Sequence, residues 1–240
     1  MLQSHFLNLR SPESLARLAE WVDDEIETET VICPLKDGHR RGGRRLTNLT
    51  VALPGRRVED IVWTWYSECL LTDRVLELFK SSGFTGFEVK PAKARYKRAK
   101  EEPPRLWELV VNGSAGVASP ESGIKLMEHC PACNLSYYSS CTNPGKLIDV
   151  AQWDGTDLFT VWPLGNYIFV TQRAAQMIHH TGLTGAVLRF PGDLDFSGNR
   201  TGKISVDLSS YPPPDQRSRG GSGGSSGGNS EFPEFRGHHT

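Results

Sequence analysis

No apolar run in these 240 residues approaches the ~18 residues that a membrane span requires. The first ten residues, Met-Leu-Gln-Ser-His-Phe-Leu-Asn-Leu-Arg, lack the apolar core of a secretion signal. Charge of one sign is not in excess either: the net charge is −1, so overall charge points to neither a nucleic-acid nor a membrane partner. Cysteine is sparse, with five residues, and the expected compartment is the cytoplasm, where these are thiols or metal ligands rather than disulfides. Catalytic signatures are missing as well. There is no G-x-S-x-G elbow, phosphate loop, HExxH or Rossmann glycine fingerprint. The expectation is a protein that is not an enzyme.

What the chain does have is a segment that occurs twice. Residues 72 to 91 and 171 to 191 both begin with Thr, carry Arg two places later and run through an apolar helical stripe to a Gly. Gly83-Phe84-Thr85-Gly86 and Gly182-Leu183-Thr184-Gly185 then lead into a short strand that ends near Pro. In the first copy Thr72 is the expected cap, Val75, Leu76 and Phe79 the buried stripe, and Gly83 the left-handed stop. Such a unit is architectural, and it directs the reading toward a binding protein.

An earlier helix is expected from Ser11 as cap, Pro12 at the first helical position and Glu13 at the positive end. Leu15, Leu18, Ala19, Val22 and Ile26 share its apolar face. Leu49–Leu53, Leu106–Val111, Asp157–Val161 and Tyr167–Val170 read as strands, and Ile61–Trp65 as a strand or a buried helical turn. Gly42-Gly43, Pro54-Gly55 and Asn112-Gly113 read as turns, and residues 113 to 128 as loop-rich. The fold class that follows is α+β, with mixed or antiparallel sheets and a few packed helices. Three regions are expected: an N-terminal helical segment (1–30), an α+β domain (31–211) and a disordered Gly/Ser/Pro-rich tail (212–240).

Charge is unevenly placed. Glu20, Asp23, Asp24 and Glu27 fall in an acidic block, Arg40, Arg41, Arg44 and Arg45 in a basic one, and Lys90–Lys100 forms a second basic block. These are either solvated faces that balance one another or docking surfaces. His179-His180 reads as a helix-terminal pair favoured by the dipole, and Asp193 and Asp195 as part of a turn.

His129-Cys130-Pro131-Ala132-Cys133 is a knuckle of the kind that places two thiolates on one metal. Zinc takes four ligands, so a single CxxC supplies half a site. Cys141 and the pair Cys33/His39 are candidates for the rest; Cys69, in an apolar stretch, reads as buried. The metal set taken forward is Cys130, Cys133, Cys141 and Cys33, holding structural zinc as a staple, since no water-activating Glu motif accompanies it.

The order of these elements carries a resemblance. Gly83-Phe84-Thr85-Gly86-Phe87, Trp107-Glu108-Leu109, Cys130-Pro131-Ala132-Cys133, Asp157-Leu158-Phe159 and Ile168-Phe169-Val170-Thr171-Gln172-Arg173 ahead of Gly182-Leu183-Thr184-Gly185 resemble the double-CxxCG-motif proteins. These are similar in turn to a broader family of bacterial immunity proteins. The resemblance spans roughly residues 31 to 192 and implies a small cytoplasmic protein that binds and neutralises a cognate toxin encoded beside it. Two departures stand out: the first knuckle keeps only Cys33-Pro34, and Asn134 stands where the motif has Gly. Of the family's ligands only Cys130 and Cys133 carry over. If the toxin is basic, Glu20, Asp23, Asp24 and Glu27 are the expected contact; if it is acidic, Arg40, Arg41, Arg44 and Arg45 are. The alternative is a zinc-ribbon-like nucleic-acid binder using Lys93, Arg95, Lys97 and Arg98, with Tyr96 to stack on a base.

Overall fold

The computed structural model describes residues 5–12, 17–196 and 203–207. The expected tail, 212–240, lies outside them. Among the described residues the fold is mixed α+β, mostly strands in several sheets with two α-helices.

The largest sheet has six strands. In spatial order these are β2 (Glu20–Trp21), β5 (Thr50–Leu53), β8 (Phe87–Tyr96), β9 (Leu106–Val111), β7 (Cys69–Thr72) and β6 (Ile61–Trp63). Only the β5–β8 pairing is parallel. A five-stranded sheet runs β10 (Gly113–Val117), β13 (Leu158–Trp162), β14 (Leu164–Thr171), β1 (Phe6–Arg10) and β15 (Val187–Arg189). There β10 and β13 are parallel. The two helices, α1 (Asp73–Ser81) and α2 (Gln172–His180), follow β7 and β14 directly.

Period-two alternation sorts the side chains of these strands into cores. Ile61, Trp63, Leu71, Leu158, Ile168 and Val170 face a central core shared with Val75 and Phe79 of α1 and Ala174, Ala175 and Ile178 of α2. Their neighbours point the other way: Val62 and Leu70 to a core behind the six-stranded sheet, Phe159, Val161 and Phe169 to one behind the five-stranded sheet. The stripe expected on α1, Val75, Leu76 and Phe79, is buried as read. Emptying the central position by Phe79→Ala belongs to the class of change that costs about 3–5 kcal/mol.

The segments after the two helices make matching contacts. Gly83 (φ 63°) and Gly182 (φ 61°) end the helices in the left-handed region. Thr85 then donates from its amide (3.1 Å) and hydroxyl (3.2 Å) to Oδ2 of Asp157, just ahead of β13. Thr184 donates in the same way, at 3.0 and 3.1 Å, to Oδ2 of Asp60, just ahead of β6. Arg173 of α2 pairs with Asp157 at 2.6 Å, and Arg74 of α1 with Asp60 at 2.9 Å. A Cβ on Gly86 would stand 2.1 Å from the Leu158 carbonyl oxygen, and one on Gly185 would stand 1.9 Å from that of Ile61. Each turn therefore grips the aspartate that precedes the other helix's hairpin, and the two halves are braced reciprocally.

Several expectations are corrected. Among the described residues between Ser11 and Ile26 there is no α-helix. Ala19 bridges to Thr64, Glu20–Trp21 pairs with β5, Asp23–Glu25 is one turn of 3-10 helix and Thr28–Val31 is strand β3. The backbone of this stretch bonds to neighbours instead of to itself, with Ala19 N donating to the Trp63 carbonyl and Val22 N to that of Thr50. That extended pairing overrides the helical spacing of its apolar residues, whose Glu13 and Leu15 lie outside the described residues. Among the described residues of this region, β1 joins the five-stranded sheet, β2 the six-stranded sheet and β3 a two-stranded sheet with β4 (Arg41–Arg45). Gly42-Gly43 sits inside strand β4 (Arg41–Arg45), where a Cβ on Gly43 would meet Val31 at 2.9 Å, so close strand packing, not a turn, accounts for that glycine. Within the loop-rich residues 113–128 lie β10 and the start of β11 (Leu126–His129). No helix among the described residues is long and apolar enough to cross a membrane.

Candidate metal centre

Two hairpins meet tip to tip. The first joins β3 (Thr28–Val31) to β4 through residues 32–40, and the second joins β11 to β12 (Leu135–Ser139) through residues 130–134. The first tip offers Cys33 and, from a short 3-10 turn at Asp37–His39, the ring of His39. The second offers Cys130 and Cys133, with the turn closed by Cys130 N donating to the Leu135 carbonyl (2.8 Å) and Asn134 N to the Cys130 carbonyl (2.7 Å).

All four side chains are buried, and their ligand atoms lie within 4.8 Å of one another. Cys33 Sγ is 3.7 Å from Cys130 Sγ, and Cys133 Sγ is 3.5 Å from His39 Nδ1. A tetrahedral zinc with Zn–S near 2.3 Å and Zn–N near 2.0–2.1 Å has S–S edges of about 3.8 Å and S–N edges of about 3.6 Å. These two donor pairs thus stand at the separations such an ion would impose, and the four donors together are close enough to share one. Three thiols and an imidazole are a zinc-selective set, and with all four corners filled by protein atoms no open position remains for chemistry on a substrate.

The surroundings suit thiolates. Burial pushes the Cys133 thiol up, but the Leu135 amide, the Arg41 guanidinium and the His39 ring outweigh it and hold the group at about 6. Burial raises Cys130. Arg41 also donates to the Cys133 carbonyl (2.7 Å) and the His39 carbonyl (3.2 Å), so one side chain ties the two tips together. Lys36 stands where the first knuckle's second cysteine would be and pairs across the tips with Glu128 at 2.6 Å. A divalent ion on three thiolates leaves the centre with one net negative charge, which these cations offset.

Of the predicted ligands, the structure brings Cys33, Cys130 and Cys133 together and leaves Cys141 elsewhere. Cys141 belongs to the core behind the five-stranded sheet, where its thiol donates to the Ser122 carbonyl at 3.5 Å. His39, not Cys141, completes the cluster of four. The signal for it was present as a Cys-x5-His spacing, which reads as half of a site only once another half is known to face it. Cys69 is buried in the central core, which pushes its thiol far up.

Part of the charged blocks pairs off internally. Lys97 pairs with Glu20 at 2.5 Å, Arg95 with Glu25 at 3.3 Å and Arg44 with Glu29 at 3.0 Å. Arg45 Nη2 donates to both carboxylate oxygens of Glu108 on β9, fastening the first hairpin to the six-stranded sheet. Lys93, Arg98 and Arg40 are exposed, Tyr96 is half-buried with its hydroxyl on the Arg56 carbonyl, and Asp23, Asp24 and Glu27 are exposed. His179 and His180 are exposed at the end of α2, and Asp193 lies in a 3-10 turn after Phe190. Compared with known proteins, the chain matches no family model and no curated sequence.

Proposed function

We propose that this protein is a cytoplasmic immunity protein that neutralises a cognate toxin by stoichiometric binding, with one structural zinc ion clamping its fold. The observation that carries the reading is the buried Cys33–His39–Cys130–Cys133 cluster, which unites segments 97 residues apart in the two-knuckle manner that the resemblance implies. We also read the two helix-Gly-x-Thr-Gly segments as copies of one unit, supported by their matched bonds to Asp157 and Asp60. A doubly braced, metal-clamped scaffold presents its surface with little conformational freedom, which favours tight recognition of another macromolecule.

The nucleic-acid alternative draws less support, because Arg95 and Lys97 already face Glu25 and Glu20. The test is co-expression with the product of the adjacent reading frame. Toxicity of that product alone, relieved by this protein and by one-to-one complex formation, is the expected result; a harmless product, or toxicity that persists, defeats the reading.

A further inference from the structure

The strands β6 and β7 are joined by a tight hairpin whose tip is Trp65-Tyr66-Ser67. Thr64 N donates to the Glu68 carbonyl (3.0 Å) and Ser67 N to the Thr64 carbonyl (3.1 Å). Ser67 has φ 70°, in the left-handed region that a three-residue hairpin loop usually gives to glycine. Both aromatic side chains of the tip face solvent: Trp65 is 50% exposed and Tyr66 is 60% exposed. The Tyr66 ring is nonetheless held in place. Tyr66 lies against Trp21 with ring centroids 4.4 Å apart, the Trp21 indole donates to Glu68 at 3.2 Å, and Thr64 donates to the same carboxylate. Neither the metal centre nor the reciprocal brace uses this tip.

Beside it the charge is negative. Asp23 and Asp24 follow Trp21 by two and three residues and are exposed. Among the described residues neither has an ion-pair partner, whereas Glu20, Glu25 and Glu29 each pair with a basic side chain. On the other flank of Trp65 lies a cavity of about 280 Å³, with Asn8, Asn166 and Tyr167 on its wall. Asn8 is 1% exposed, and its Oδ1 has no hydrogen-bond partner. Arg10 on the same wall makes the cavity suited to a neutral donor rather than a cation.

We infer that Trp65, Tyr66 and Trp21, with Asp23 and Asp24, form the docking surface for a protein partner that presents a basic patch. The inference rests on the protein-binding reading above and says which face does the binding. Half-exposed Trp and Tyr side chains are the residue types that dominate binding energy, because they offer large area at low entropic cost. Adjacent unpaired carboxylates steer a basic partner and reject an acidic one, nucleic acid included. The basic hairpin at Arg40 is then not the contact.

The test measures affinity of the purified protein for the product of the adjacent reading frame. Trp65→Ala with Tyr66→Ala should weaken the dissociation constant at least ~30-fold. Asp23→Lys with Asp24→Lys should slow association about tenfold at low salt and remove most of its salt dependence. Arg40→Glu with Leu35→Ala, on the metal hairpin, should change affinity less than about threefold. Melting temperatures of the tip variants within a few degrees of wild type would certify their folds. If the tip variants bind as wild type does, or the Arg40/Leu35 variant is the one that fails, the docking surface is wrong and neutralisation stands. If wild type binds nothing from the adjacent frame, both inferences fall.

Discussion

Asn134 closes the second knuckle at φ 56°, a backbone region in which a side chain other than Asn or Asp is strained. A glycine would fit this position equally well, and Asn is among the few side chains that tolerate it. Asn134→Gly should leave stability unchanged or raise it by up to about 1 kcal/mol, and Asn134→Val should lower it by about 1–2 kcal/mol, read by urea denaturation of the metal-loaded protein. Equal stability of the Val variant would contradict the strain. Residue-level signals of this kind were open in the sequence, since Cys-Pro-Ala-Cys fixes a tight turn whatever surrounds it. The fourth ligand was not. Cys141 and His39 were equally eligible by chemistry, and only the packing of Cys141 in another core, on the Ser122 carbonyl, separates them.

At the scale of elements, the reciprocal brace concentrates on two aspartates. Burial by itself would push Asp157 up, yet Arg173, Thr171 and the Thr85 amide hold its carboxyl below the ordinary range. Burial opposes Asp60 likewise, and is outweighed by the Thr184 amide and hydroxyl and by Arg74. A carboxyl whose folded-state pKa is depressed contributes stability that is fully present above its unfolded value, about 3.9, and is lost as pH falls through the lower folded value. Asp157→Asn should therefore cost about 1–3 kcal/mol at pH 7 and flatten the loss of stability below about pH 4. Thermal unfolding of both proteins from pH 7 to pH 3 checks this; an acid limb of unchanged steepness would count against the brace. The repeated Thr, Gly-x-Thr-Gly and helical stripe were readable because they recur in sequence. Their partners were not, because Asp60 and Asp157 act across 124 and 72 residues. The same limit explains the misread first helix: apolar residues at helical spacing do not reveal that the Trp63 and Thr50 carbonyls are waiting for their amides.

For the whole molecule, the decisive link is the pair of hairpin tips. The two hairpins that carry them, β3–β4 and β11–β12, contribute only Cys33, Cys130, Cys133 and Leu135 as buried apolar side chains to their shared core, too little to hold the tips together without a further tie. A metal ion there would close a loop of 97 residues and so restrict the unfolded chain as well as join the folded one. The α+β class and the CxxC half-site were legible in the sequence, while the meeting of the two tips depended on tertiary placement. Metal analysis of protein purified without added zinc, combined with X-ray absorption at the metal edge, tests the claim most directly. The account predicts one zinc per chain with three sulfur neighbours and one nitrogen neighbour, lost together with cooperative folding of the hairpin region in Cys33→Ser. A metal-free protein whose melting temperature is unmoved by zinc or by a chelator would contradict it.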